Sequence, residues 1–224
     1  MPGPRVSLAT VPDPVADLLA SAVRGRFPPQ DGRTDVLPQP PGPVAGILAF
    51  AAHHVVAADV DPGWVGARLP EGDLSAPVGP AFVAALADRL GRTFDNLDVV
   101  LADTGVDGSP DLDLRPIDGA GHPRIDRARR YRTGVRALET ADGAGLVVVG
   151  RGLAGRWKVA FEVEPRARGR GLGRALVAAA RRLAPEGEAV FAQVAPGNVS
   201  SLRAVLAGGF TPIGAEILFA RPAP

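Results

Sequence analysis

Over 224 residues, a hydrophobic share of 46% is ample for a packed core, and with aromatics at only 5% that core must be built from Ala, Val and Leu. The 25 basic and 24 acidic residues nearly cancel, which argues against a general nucleic-acid surface or a polybasic membrane surface. Cysteine is absent, so disulfides, thiolate zinc sites and a thiol-linked covalent intermediate are excluded.

At the start, Pro2, Pro4 and Arg5 stand without the apolar run of a signal peptide, and a soluble, cytoplasmic protein is expected. Residues 12–27 read as a short amphipathic helix with Asp13 as N-cap and Pro14 in its first turn. Residues 28–43 hold six prolines and read as an irregular, extended connector. Ile47 to Val60 reads as a strand or a pair of strands, too short and too interrupted by His53-His54 for a membrane span. Adjacent residues on a strand point to opposite faces, so the two histidines are expected as interior or pocket groups and not as one metal site. Asp61-Pro62 opens a helix through Leu69, and Pro80 to Leu90 makes another that Gly91 ends. Leu97 to Ala102 reads as a strand. A loop follows over 103–121, around a short strand near Leu112 to Pro116, and His122 to Tyr131 reads as a helix. Three antiparallel strands are expected at 132–141, 146–150 and 157–164, with Asp142-Gly143 turning the first pair.

From Phe161 the chain reads FEVEPRARGRGLGRAL, an apolar strand that ends at a proline and runs through an Arg/Gly loop into a helix. Gly169, Gly171 and Gly173 lack a Cβ, so their N–H groups can lie against an anion. The helix that begins near Leu172 adds its positive dipole end at the same point. Arg168, Arg170 and Arg174 supply charge and a planar donor fork suited to phosphate oxygens. The segment therefore reads as a pyrophosphate cradle. Its spacing fits neither common nucleotide motif. A dinucleotide loop needs a third glycine in register after Gly173, and a P-loop needs a lysine that does not follow here. Leu172, Leu176, Ala179 and Leu183 mark a buried helix face stopped by Pro185-Glu186-Gly187. Ala189 to Val194 reads as a strand buried on both faces, Asn198 as the N-cap of a second helix ended by Gly208-Gly209, and Phe210 to Phe219 as a closing strand.

R-x-x-G-x-G from Arg168 to Gly173, preceded by V-x-P from Val163, resembles the acyl-CoA-binding motif of the GNAT superfamily of acyl-CoA-dependent N-acyltransferases. Asn198, Gly209 and Phe210 stand where that superfamily has its Asn-led second helix and its Gly-Phe pair, and the likeness covers roughly residues 130–221. The resemblance implies an α/β fold with a central mixed, mostly antiparallel sheet flanked by helices, preceded here by an N-terminal α/β extension. The division expected is an extension over 1–95, either shaping the acceptor site or a degenerate repeat, and an acyl-CoA-binding domain over 96–224. It further implies that Val163, Arg168, Gly169, Arg170, Gly171, Leu172, Gly173, Arg174 and Asn198 contact acetyl-CoA, the acyl donor. The expected reaction is direct attack of a small-molecule or peptide amine on the thioester in a ternary complex. No nucleic-acid or membrane partner is expected, and the oligomer is open between monomer and homodimer. The alternatives are a non-catalytic acyl-CoA-binding or regulatory module and, more remotely, a nucleotide-binding module.

Two features depart from the family pattern. Val205 occupies the position where many members have a tyrosine that protonates the departing thiolate, and Ser201, one turn earlier, is the substitute candidate, against the alternative of a hydroxyl bonded back to its own helix. The acidic residue that many members have near the start of the motif strand is replaced by Arg156-Trp157-Lys158. Glu162 is then the candidate general base, against the alternative of a solvated carboxylate on a half-exposed strand, while Glu164 is expected to position an arginine.

Overall fold

In the computed structural model, which describes residues 13–222, helix α1 covers Pro14–Val23 and is capped as expected, with Asp13 accepting from the amides of Val15 and Ala16. Strands β1 (Thr34–Leu37), β2 (Val44–Phe50) and β3 (His53–Ala57) follow. The short helix α2 (Pro62–Gly66) and helix α3 (Pro80–Leu90) come next, and α3 ends at a left-handed Gly91. Strands β4 (Thr93–Phe94), β5 (Asp98–Thr104) and β6 (Leu114–Ile117) lead to helix α4 (Pro123–Tyr131). The remaining chain runs through β7 (Thr133–Thr140), β8 (Gly145–Arg151), β9 (Trp157–Val163), α5 (Leu172–Arg181), β10 (Ala189–Val194), α6 (Val199–Ala207) and β11 (Thr211–Ala220). No helix among the described residues is long and apolar enough to cross a membrane.

All eleven strands form one sheet, in the order β1-β3-β2-β11-β5-β10-β9-β8-β7-β6, with β4 added to β11. Pairing is antiparallel except for β1 with β3 and β10 with β9. This is the mixed, mostly antiparallel sheet flanked by helices that the sequence implied. Details differ from the sequence reading, among them the unforeseen β4 and the end of α1 at Val23. The proline-rich connector contains β1, and α2 stops at Gly66, before Leu69.

Strands β2 and β5 lie on either side of β11, so the first ninety-five residues and the rest share one hydrogen-bonded sheet. Helices cover both faces. On one face, α1 packs on β2, β3 and β5 through Val15, Leu19, Val44, Leu48 and Val100, and α4 packs on β7 and β8 through Ile125 and Ala128. On the other, α3 packs on β2 and β11 through Phe82, Leu86 and Phe219, and α5 on β8 and β9 through Leu176 and Val177. Strand alternation hands each side chain to one of these two faces. The first face carries what lies beneath α4, and the second carries the Arg/Gly loop.

Candidate active site

The loop between β9 and α5 places Gly169 and Gly171 at φ of +74° and +86°, a left-handed backbone that side chains rarely adopt. No Cβ clash enforces either glycine, so the backbone turn itself selects them. Gly171 is the N-cap of α5 and makes no side-chain cap, unlike Asp13, Asp61, His122 and Asn198 at the other capped starts. The first backbone bond of α5 is Ala175 N–H to the Gly171 carbonyl, and among the described residues nothing accepts from the amides of Gly169 to Arg174. That leaves a row of unpaired donors at the positive end of a helix dipole, the arrangement that binds anions. Gly173 lies where α5 and α6 meet β9: a Cβ there would stand at contact distance, 3.4 Å from Phe161 and 3.5 Å from Ala204.

β9 and β10 are the parallel pair at the centre of this half of the sheet, and their pairing is short. Val190, Phe191 and Ala192 oppose Trp157, Lys158 and Val159, after which β9 continues to Val163 and β10 to Val194 without further pairing. A gap therefore opens between the strands, leading from the free amides of the loop into the sheet. Its edges carry backbone groups that the ladder does not use.

On the α4 side of the sheet, a cavity of about 100 Å3 lies at the root of this gap. Ala160 and Gln193, the residues immediately past the last paired couple, both line it, together with Lys158, Asp98, Tyr131 and Arg132. Around it runs a buried polar network. Arg156 and Gln193 both donate to Oε1 of Glu216, which is completely inaccessible to solvent, and Glu216 Oε2 has no partner. Arg132 donates to the carbonyls of Val148 and Lys158 at 3.3 and 3.2 Å. Tyr131 donates to Asp95 at 2.6 Å, and Arg127 pairs with the same carboxylate. Asp98 Oδ1 is buried without a partner, and burial pushes this carboxyl above its ordinary value despite the attraction of Lys158. Burial also pulls the Lys158 ammonium well below its ordinary value, with Arg132 adding to the effect.

The residues singled out from sequence fall on both sides of β9. Phe161 and Val163 face α5, so Glu162 faces α4, where Arg124 donates to its Oε2 at 2.6 Å. Arginine pairing thus goes to Glu162, and the expectation that Glu164 positions an arginine is corrected: Glu164 is exposed and has no ion pair among the described residues. Ser201 lies one turn before Ala204 on the α6 face that meets Gly173, on the opposite side of β9 from Glu162. Its amide donates to the Asn198 cap at 3.2 Å, and its hydroxyl makes no hydrogen bond among the described residues. Asn198 Oδ1 is engaged as a helix cap. Arg168 turns back to the carbonyl of Val163 at 3.0 Å, while Arg170 and Arg174 are exposed beside the free amides. Val205 is fully buried against the α5 core, with no opening toward the gap. His53 bonds Asp31 at 2.9 Å and His54 is buried, its pKa lowered by desolvation. No group of three or more potential metal ligands occurs among the described residues. Sequence reasoning missed the Lys158–Arg132–Arg156–Glu216 network. Its one legible trace is that Lys158 is the chain's single lysine among 25 basic residues.

The model of the Acetyltransferase (GNAT) family matches residues 143–210, from the turn before β8 through the Gly-Phe pair. The match takes in the Arg/Gly loop and both helices that follow it. Among solved structures, a GCN5-related N-acetyltransferase from Kribbella flavida is 18% identical, with 63% of this chain and 64% of that one covered and a TM-score of 0.38. An acetyltransferase from the GNAT family of Colwellia psychrerythraea is 12% identical, over 63% of this chain and 62% of that one, with a TM-score of 0.36. A tandem GNAT protein from the clavulanic acid biosynthesis pathway, determined without AcCoA, is 18% identical over 83% and 85% of the two chains, with a TM-score of 0.38. The chain spans less than two thirds of the length of the first two. A comparison with curated proteins finds no match.

Proposed function

We propose that the protein is an acyl-CoA-dependent N-acetyltransferase that carries an acyl group from acetyl-CoA to an amine in a ternary complex. The observation that carries this reading is the early end of β9–β10 pairing, which aims a strand gap at the free amides of Gly169 to Arg174. The coenzyme's pyrophosphate would lie on those amides, with Arg170 and Arg174 nearby. Its pantetheine arm would follow the gap and satisfy the idle backbone of β9, bringing the thioester to the cavity edge. The acceptor would arrive from the α4 side, where Glu162 and the network around Lys158 stand. Holding both reactants at the gap supplies proximity, and a main-chain N–H of β9 near Val163 would polarise the carbonyl.

The full burial of Val205 favours a second reading, a non-catalytic acyl-CoA-binding module. Thiolate is a tolerable leaving group near neutral pH, since a thiol's pKa is about 8.5, so loss of the tyrosine slows the transfer and does not forbid it.

Titration calorimetry of acetyl-CoA with the wild type and with Gly171→Asp tests the donor site. Gly171 is exposed with open space at its Cβ, and aspartate tolerates a left-handed backbone better than most residues, so the variant should fold. A carboxylate beside the phosphates should weaken binding by about tenfold or more, the equivalent of 1.4 kcal/mol. Unchanged affinity would overturn the assignment.

A further inference from the structure

Lys158 stands apart from every other cation in the chain. It is the sole lysine against 24 arginines, the remainder of the 25 basic residues, and it is 6% exposed. It forms no ion pair with any described carboxylate. The charged groups that act on it are Arg132 at the start of β7, Arg156 before β9, Glu216 on β11 and Asp98 on β5; from α4, Arg124, Arg127 and Tyr131 line the same cavity. Glu216 is already engaged by Arg156 and Gln193. An ammonium held this way is costly to bury, and a lysine, unlike an arginine, relieves the cost by shedding its proton. Desolvation favours the neutral amine for this reason.

A neutral primary amine is a nucleophile toward a thioester. Lys158 lines the cavity shared by Ala160 and Gln193, the residues at the root of the β9–β10 gap. We propose that Lys158 is itself an acyl acceptor, taking the acyl group of a short-chain acyl-CoA thioester threaded through the β9–β10 gap. The inference rests on the acyl-CoA reading of the loop and gap. In the step, the Lys158 Nζ lone pair forms a C–N bond to the thioester carbonyl as the C–S bond breaks. The electron pair leaves on the coenzyme A sulfur, and the proton lost by Nζ passes to the thiolate, directly or through Asp98. The products are an Nε-acyl-lysine and free coenzyme A thiol.

Two properties of the cavity fit this product. Its volume of about 100 Å3 is several times the roughly 10–15 Å3 that one water needs, which is room for an acetyl group. The product also replaces an amine that has no ion pair by a neutral amide, whose N–H can donate to the partnerless Asp98 Oδ1 and remove a buried unsatisfied acceptor. Once acylated, Lys158 would occupy the cavity and shut the acceptor side of the gap.

The test is intact-mass and peptide-mapping spectrometry of the folded full chain incubated with acetyl-CoA, with binding measured by calorimetry on the same sample. The expected result is one acyl group per chain, mapped to Lys158, formed faster as pH rises, and absent from Lys158→Arg. Gly171→Asp and the urea-unfolded chain should acylate Lys158 more slowly by about tenfold or more, in step with lost binding. The chain's α-amino group reports the background reaction. Binding without acylation of Lys158, or acylation at the same rate in the unfolded chain, overturns this inference and leaves the donor-site reading intact. Absence of binding overturns both.

Discussion

Replacing Arg156 by methionine should be among the most destabilising single changes in this protein. Glu216 is inaccessible to solvent, and the Arg156 side chain that pairs with it is 3% exposed. The variant removes the guanidinium and leaves the carboxylate in place, with Gln193 as its only hydrogen-bond donor and Oε2 already unpartnered. Breaking a buried ion pair from one side costs about 3–5 kcal/mol, because the surviving charge stays desolvated. At roughly 2–4 °C per kcal/mol for a chain of this size, that corresponds to a fall in Tm of about 6–20 °C. Removing both partners, as Arg156→Met with Glu216→Leu, should recover most of the loss, since replacing a whole buried pair by apolar groups ranges from neutral to stabilising by about 1–4 kcal/mol. Equilibrium urea unfolding of wild type, both single variants and the double variant gives the cycle directly. A loss below about 1 kcal/mol for Arg156→Met, or a double variant as unstable as the sum of the singles, would refute the reasoning; the pair would then be hydrated or unformed.

Three further outcomes are expected. Val205→Tyr should lower stability by about 1–3 kcal/mol in urea unfolding, because Val205 is fully enclosed beside α5 and a phenol ring overpacks that space. Gly208→Ala should cost a similar amount by the same assay, since the new methyl would fall 2.4 Å from Val177 Cγ1. Lys158→Met should stabilise the fold in a pH-dependent way: the Lys158 pKa is depressed on folding, so between that folded value and the unfolded value of 10.5 the unfolded chain binds more protons and wild-type stability rises with pH. The gain from methionine is therefore full below the folded value and vanishes as pH approaches 10.5, and urea unfolding across that range should show a difference that shrinks toward alkaline pH.

Local chemistry was legible wherever it acts within a few residues. Asp13 and Asn198 cap helices, Gly91 ends one, and the amides of the Gly169–Gly171 loop stay free as the missing Cβ atoms suggested. Where partners are remote, the sequence was silent. β1 has only four residues in a proline-rich stretch, and its parallel partner β3 begins sixteen residues after it ends. The insertion of β5 between β10 and β11 cannot be read from strand order along the chain, since it depends on which edges meet. Arg156, Lys158 and Glu216 suffered from the same gap. A charged residue in an apolar strand reads as a solvated position, and only the strands and helix stacked around these three decide that they are buried.

That insertion of β5 bears on the candidate site. The gap between β9 and β10 belongs to the residues that match the GNAT family, but the cavity at its root does not belong to them alone. Asp98 comes from β5, Asp95 and Asn96 from the segment leading into it, and Tyr131 and Arg132 from the α4–β7 junction, all before the matched segment begins at residue 143. β11, which supplies Leu218 to the cavity and Glu216 to the network, is held on its other edge by β2 from the first fifty residues. Removing residues 1–95 would strip β11 of its six-residue ladder with β2 and expose Ile217 and Phe219, now covered by α3. In the proposed site, the part that would hold the donor is thus local to one stretch of sequence, the loop and its helix. The cavity that would receive the acceptor is assembled from strands far apart in the chain, and its chemistry follows from sheet order and not from any motif.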